Sequence, residues 1–476
     1  MNIVHTIKNE TIDNQEKTAV IDGDREISYG KLFAAVDEAA VELKKHGIRP
    51  AQRLALLCGD GIDYIVVSLA VLSLQAVIVP LSSSLSGNEV DAVLEQIDIN
   101  FFIFDSLIYS RNDAYKVFSY GVCEKEFFLY NRTAREQIAK DYYAMNPAFI
   151  RFSSGTTGTS KGVVLSHEPI VQRTDAANKG LNMAANDVVI WVLSMSFHFV
   201  VTILLFLRRA ATIVLCGGIF PDALLEGLMR HRGTFIYASP FHYHMLVNSD
   251  LFSPDLLSDV RLAVSTAMKL PVCVARDFFE KFGIELSEAY GIIEVGLPFL
   301  NCSGDPMKRG SVGRVLPDYE VKIVNADAEE IGEVYLKGKG MFDAYFSPWK
   351  SSRQLLHDGW FNTSDLGRID KDGFLFLVGR RKHVINFTGM KIFPYEVELV
   401  LNQHPAVKES LVYGVSHPRY GQIPSAKVVL REGAGIDFDT NELRKFCYQY
   451  LTSYKVPKEF ECVDRLDRTA SGKLRR

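Results

Sequence analysis

The sequence predicts an α/β fold: a large N-terminal body of two βαβ-type subdomains plus a β-rich subdomain, followed by a small α+β C-terminal domain. Three observations predict it. Short apolar runs rich in β-branched residues alternate with helical patterns as far as Leu300. Between Gly310 and Phe376 the runs become short and are cut by Gly and Asp turns. After Arg381 a compact unit begins, with helical and strand patterns of its own. The domain boundary is therefore drawn between 1–381 and 382–476, joined by a short hinge.

Each element has its own signal. Leu32, Val36, Ala40 and Leu43 share one helical face, and Gly47 follows as a C-cap. Arg53–Cys58, Ala76–Pro80 and Phe101–Asp105 read as buried strands, with helices over Tyr64–Leu74 and Glu89–Ile97 between them. Strands alternating with helices imply mainly parallel sheet. Glu320–Val324, Glu333–Lys337 and Leu375–Val378 read as strands of an antiparallel piece. Pro394 suits the first position of a helix carrying Val397, Val400 and Leu401. Strands Ser410–Gly414 and Ala426–Leu430 follow. Leu443, Phe446, Cys447, Tyr450 and Leu451 then form one apolar face, with Asp439 as N-cap and Glu442 three residues on.

Val188–Leu207 is long and apolar enough to meet the length rule for a membrane helix. Its first half is crowded with β-branched residues, and Ser194, Ser196, His198 and Thr202 interrupt it. A buried strand (Val188–Leu193), a polar turn and a core helix (Val200–Leu207) are the expected reading, with no membrane span.

Composition excludes several classes. The chain has 476 residues, about three units at roughly 150 residues each. The formal net charge is −4, without the basic excess of a protein built to bind nucleic acid. The seven cysteines are scattered with no CxxC pair, which fits reduced thiols and a cytoplasmic setting. No zinc spacing and no signal-peptide pattern is visible.

The most informative run is Phe152-Ser153-Ser154-Gly155-Thr156-Thr157-Gly158-Thr159-Ser160-Lys161-Gly162. Glycines admit an anion close to backbone N–H groups, hydroxyls add donors, and a lysine supplies a point charge. The Walker pattern does not fit: Ser160 stands where the second glycine belongs, and Gly162 where Ser or Thr belongs. Four further motifs follow: Tyr290-Gly291-Ile292-Ile293-Glu294, Thr363-Ser364-Asp365, Gly379-Arg380-Arg381-Lys382 and Arg468-Thr469-Ala470-Ser471-Gly472-Lys473.

In these five motifs, their order and their spacing, nearly the whole chain resembles the AMP-forming acyl-CoA synthetase family, the superfamily that also holds luciferases and the adenylation domains of peptide synthetases. The resemblance implies ATP-dependent activation of a carboxylic acid, acyl or aryl, as acyl-AMP with release of pyrophosphate. Transfer to the thiol of CoA, or of a carrier-protein phosphopantetheine, would follow. Ser153, Ser154, Gly155, Thr156, Thr157, Gly158 and Lys161 would hold the ATP phosphates. Tyr290 would stack on adenine, Asp365 would take the ribose hydroxyls, and Arg380 would bind ribose or phosphate. Glu294 would ligate Mg²⁺, a hard cation that prefers oxygen ligands. Lys473 would bridge the substrate carboxylate and the α-phosphate; with Glu294 and Thr157 it forms the implied catalytic set. The C-terminal domain would be mobile, swinging about a hinge at Lys382 and opening a thiol channel near Gly389.

The acid pocket is implied at His198, Val201, Ala267 and Gly291, and His198, Val201 and Phe241–His244 are expected to give it an apolar lining. Phe197-His198-Phe199 stands where amino-acid-activating relatives place an Asp, which disfavours amino acids. Two departures stand out. Ile293 replaces the usual Thr before the metal-binding Glu, removing a donor worth about 1–3 kcal/mol to a charged partner. Ser265-Thr266-Ala267 replaces a Gly-rich turn, so that wall is bulkier. The Ile293 departure motivates an alternative, a nucleotide- or acyl-binding homologue with weak or lost catalysis; a luciferase-type oxygenase is another. No carrier domain follows Arg476 in this sequence, so a carrier protein is expected to act in trans.

Overall fold

A computed structural model describes residues 1–118, 125–132, 138–153, 161–388, 390–431, 438–469 and 474–476. The chain divides into two compact units: Met1–Glu320 with Lys337–Phe361, and Val321–Leu336 with Asn362–Arg476.

The first unit holds two nine-stranded sheets. In one, the strands Val188–Trp191, Thr212–Leu215, Phe235–Ala238, Leu262–Ser265 and Leu286–Ile292 run parallel. Thr18–Asp22 extends that parallel run at one side. Antiparallel strands Arg25–Ser28, Gly296–Asn301 and Arg314–Val315 complete it. In the other sheet, Arg53–Leu57, Val77–Leu81, Phe101–Asp105 and Pro147–Ser153 are parallel neighbours or next neighbours, again with antiparallel edges. The parallel strands read as continuous apolar runs because both faces are covered. Helix Ile62–Ser73 shows the same logic: Ile62 through Leu72 are all buried, the signature of a helix with no solvent face.

Most sequence boundaries shift by only one to three residues. The expected helix near Leu32 runs Tyr29–Lys45, and Gly47 follows with φ 85°, the left-handed conformation that a C-terminal glycine accepts without strain. Helix Gly87–Gln96 starts at a capping box of Ser86 and Glu89.

The 188–207 segment departs more. Its strand ends at Trp191, and its helix begins at Met195, five residues before Val200. The Met195 N–H donates to the Asp60 carboxylate at 3.0 Å, so a distant side chain caps this helix early. Phe199–Ile203 then adopts a π-turn before Leu204–Arg208 resumes the α-helix. Among the described residues no helix is long and apolar enough to cross a membrane.

The β-rich stretch distributes its strands. Ala344–Tyr345 and Lys350–Ser351 extend the second large sheet, while Tyr319–Val324, Gly332–Gly338, Phe361–Ile369 and Leu375–Arg380 form a separate four-stranded sheet.

The second unit also contains a five-stranded sheet of Ile385–Phe387, Met390–Ile392, Val407–His417, Gly421–Leu430 and Glu459–Cys462, packed by helices Pro394–Leu401 and Thr440–Tyr450. Asp439 caps the latter, accepting from the Asn441 N–H. Val397, Leu401, Val407, Val428, Leu443 and Cys447 form its core. A smaller cluster joins Phe393 to Ile331 and Leu366, with Val378 and Val384 against it. Glu398 is buried on the inner face of helix Pro394–Leu401. Its carboxylate accepts the Val412 N–H at 2.7 Å and the Arg476 guanidinium at 2.6 Å.

Candidate active site

In the first unit, strands Pro147–Ser153 and Lys161–Ser166 pair antiparallel, with Ser153 opposite Lys161. Ser154, Gly155, Thr156, Thr157 and Gly158 lie outside the described residues. Beyond their far end, the Lys161 ammonium stands 4.8 Å from the centroid of the Tyr345 ring. Tyr345 is buried and its hydroxyl donates to Glu294 Oε1 at 3.0 Å. Burial first, then the Glu294 charge, pushes the Tyr345 phenol pKa well above its ordinary value, so it stays a donor at neutral pH. The Glu294 carbonyl accepts the Phe342 N–H at 2.8 Å. Residues 342–345 therefore fix Glu294 at both backbone and side chain.

Tyr290 and Gly291 end strand Leu286–Ile292, and Thr266–Ala267 follow the adjacent parallel strand. Ligands of open α/β sheets bind beyond such carboxyl ends. Tyr290 is half-buried, and the ladder bulges between Tyr290 and Ile292. A Cβ at Gly291 would meet the Gly296 carbonyl oxygen at 2.7 Å, so this tight turn needs glycine. Ala267 takes φ 70°. The His198 ring lies edge-on to Trp191 and Tyr237, with centroids 5.8 and 6.3 Å away. His198 and Val201 are both half-buried. The Ile293 side chain has no polar group, and its carbonyl accepts from Arg173 Nη1 at 3.0 Å.

In the second unit, Asp365 and Arg380 are register partners on neighbouring antiparallel strands. Arg380 Nε donates to Asp365 Oδ1 at 2.8 Å, and Asp365 is buried. The turn before Asp365 is strongly held. Ser364 has φ 61°, and its N–H donates to the Asn362 carbonyl side chain at 2.7 Å. Thr363 Oγ1 accepts the Asp365 N–H and donates to the Val334 carbonyl. Lys382 sits in the 3-10 turn Arg381–His383; burial, then the neighbouring Arg380 charge, lowers its pKa.

Gly389 and Lys473 lie outside the described residues. The flanks of Lys473 are tied down: Arg468 and Leu474 form a bridge, the Arg475 N–H donates to the Asp467 carbonyl, and Arg468 pairs with Glu409.

Sequence motifs point to Asp365 and Arg380 separately; the fold joins them as an ion pair. No motif marks Tyr345, which reaches Glu294 through the pairing of residues 344–345 with 163–164. The apolar run Ala148–Phe152 also contains an arginine, Arg151, visible in the sequence.

Two family models match the chain: "AMP-binding enzyme" over residues 10–346 and "AMP-binding enzyme C-terminal domain" over residues 396–473. The chain belongs to the AMP-binding enzyme family. It is 29% identical to the 2-succinylbenzoate–CoA ligase of Bacillus subtilis (strain 168), over 97% of this chain and 94% of that one. It is 26% identical to the indoleacetate–CoA ligase of Aromatoleum aromaticum, over the same shares of the two chains. A solved o-succinylbenzoate CoA synthetase from Bacillus subtilis, in complex with the acyl-adenylate intermediate OSB-AMP, superposes with TM-score 0.85 at 26% identity. That match covers 100% of this chain and 97% of the other. The AMP-binding enzyme described here is accordingly an ATP-dependent acid–CoA ligase. It forms an acyl-AMP and passes the acyl group to CoA.

Proposed function

We propose that this ligase divides its work between residues 1–381, which bind ATP and the acid, and 382–476, which deliver Lys473 by rotation about Lys382. The observation that carries the reading is the link from Lys161, at the end of the glycine- and hydroxyl-rich motif in sequence, through Tyr345 to Glu294. A phosphate-binding cation and a metal-binding carboxylate are held by one buried ring. Tyr290 stacks on adenine, and Asp365, oriented by Arg380, takes the ribose hydroxyls. Lys473 draws the carboxylate to the α-phosphate, where two anions must meet.

The donor set at Glu294 suits Mg²⁺. It is a single half-buried carboxylate, held by a neutral hydroxyl donor, and Mg²⁺ is commonly bound by one or two carboxylates with nucleotide phosphates and water completing the shell. When bound, the ion neutralises phosphate charge. Glu294 holds it, and Tyr345 orients Glu294. Tyr345→Phe is expected to raise the Mg²⁺ concentration for half-maximal adenylation by about 10-fold, the loss of one hydrogen bond to a charged group. A Mg²⁺ titration of the variant checks this.

His198, Val201, Ala267 and Gly291 line the acid pocket, and the thiol enters near Gly389. The relatives act on acids as different as 2-succinylbenzoate and indoleacetate, so kinship alone does not choose the acid. CoA is preferred as acceptor over a carrier-protein phosphopantetheine because the named relatives are CoA ligases. The cytoplasm is the proposed compartment, supported by the described cysteines, all of which are free thiols.

The test is acid-dependent exchange of labelled pyrophosphate into ATP over a panel of carboxylic acids. Exchange with at least one acid is expected. Its absence with every acid would favour a binding protein that no longer catalyses.

A further inference from the structure

Among the described arginines of the first unit, Arg151 is deeply placed yet has no hydrogen-bonding partner for its Nε. It lies on the interior strand Pro147–Ser153, after Phe149 and Ile150, both buried. The other deep arginines are spent. Arg173 donates to the Gly340 and Ile293 carbonyls, Arg208 to Glu10, Val171 and Thr174, and Arg53 to the Asp98 carbonyl. Arg151 makes no hydrogen bond or ion pair among the described residues, and its Nε is sealed from solvent without a partner.

A buried cation without a partner costs several kcal/mol. That cost is not relieved by neutralisation. Burial lowers the pKa of Arg151 to about 10, the Glu294 charge opposes the shift, and the group remains a cation at neutral pH. The side chain lies deep in the body yet keeps some accessible surface.

Its surroundings are identifiable. The guanidinium carbon stands 5.3 Å from the centroid of Phe197, the residue before His198. Two residues on, Phe199 packs edge-on against Tyr64 at 5.6 Å. Arg151 thus borders the segment assigned above to the acid pocket, and the inference rests on that assignment.

We propose that Arg151 is a specificity residue, and that the acid this enzyme activates carries a second anionic group, a carboxylate or sulfonate, which pairs with the Arg151 guanidinium while the first carboxylate reacts. The planar fork of an arginine suits a two-oxygen anion. The reacting carboxylate is the weaker choice. A fixed cation that bound it equally in ground and transition states would not speed the step, and Lys473 already serves it.

The test is pyrophosphate exchange with matched acids in which a terminal methyl becomes a carboxylate: butyrate and succinate, hexanoate and adipate, 4-methylbenzoate and terephthalate. The diacid of any pair that reacts is expected to be favoured in kcat/KM by at least about 100-fold, because an unpaired buried charge rejects the apolar analogue. In Arg151→Met the preference should fall to within a few-fold of one or invert, and Arg151→Lys should keep part of it.

Equal loss for both members of a pair in Arg151→Met would overturn the proposal, pointing instead to the reacting carboxylate or a phosphate. So would a wild-type enzyme that prefers the methyl acid, or that accepts monoacids of a wider panel and no diacid. Failure of exchange with every acid would sink the ligase reading itself, a distinguishable result. If Arg151→Met does not fold, as judged by its circular dichroism, the wild-type ratio and Arg151→Lys still decide.

Discussion

Lys473→Ala should lower the rate of acyl-adenylate formation on the order of 100- to 1,000-fold, the range seen when one preorganised charge-stabilising group is removed. Thioester formation from supplied acyl-adenylate and CoA should stay within a few-fold of wild type. The asymmetry follows from where negative charge accumulates. Only the first half-reaction brings a carboxylate onto a phosphate, so only that step needs a cation between them. Termini fray unless tied down, but the residues on either side of this lysine are tied. Arg468 pairs with Glu409 and bridges to Leu474, and Arg475 bonds back to Asp467. Pyrophosphate exchange measures the first half-reaction and single-turnover CoA transfer the second. Equal loss in both would rule out a lysine that serves one step alone.

Glu398→Ala should destabilise the second unit by about 3 kcal/mol, the low end for breaking a buried ion pair, since Arg476 keeps 19% of its side-chain surface exposed. Its melting temperature should fall by roughly 10 °C. The substitution leaves the buried Val412 N–H without its acceptor and the Arg476 guanidinium with the Val412 carbonyl but no counter-charge. Glu398→Gln keeps an acceptor of the same shape and should cost less. Calorimetry of the three proteins tests this, and an unchanged transition in Glu398→Ala would show that the pair contributes nothing. Adenylation should fall along with stability, because Arg476 anchors the chain three residues after Lys473.

The legible parts of this fold are those set by local chemistry. Continuous apolar runs such as Phe101–Asp105 marked parallel strands, and Pro394 and Asp439 marked helix starts, because propensity and capping act over a few residues. What was not legible depends on residues far apart in sequence. The helix at Met195 starts early because Asp60, 135 positions away, caps it. Tyr345 reaches Glu294 across 51 positions, and Glu398 meets Arg476 across 78. The site divides the same way. Motif order pointed to the residues proposed to handle ATP, whereas their structural partners lie on strands that pair only after folding.

The small cluster of Phe393, Ile331 and Leu366 bears on modular exchange. A fragment cut at Lys382 would carry Phe393 and Val384 away from the side chains that cover them, leaving an apolar patch in water. A chimera joined there inherits the same problem unless its donor matches Ile331, Leu366 and Val378 in volume. The transplantable piece is therefore discontinuous: it takes Val321–Leu336 and Asn362–Arg381 along with the C-terminal residues.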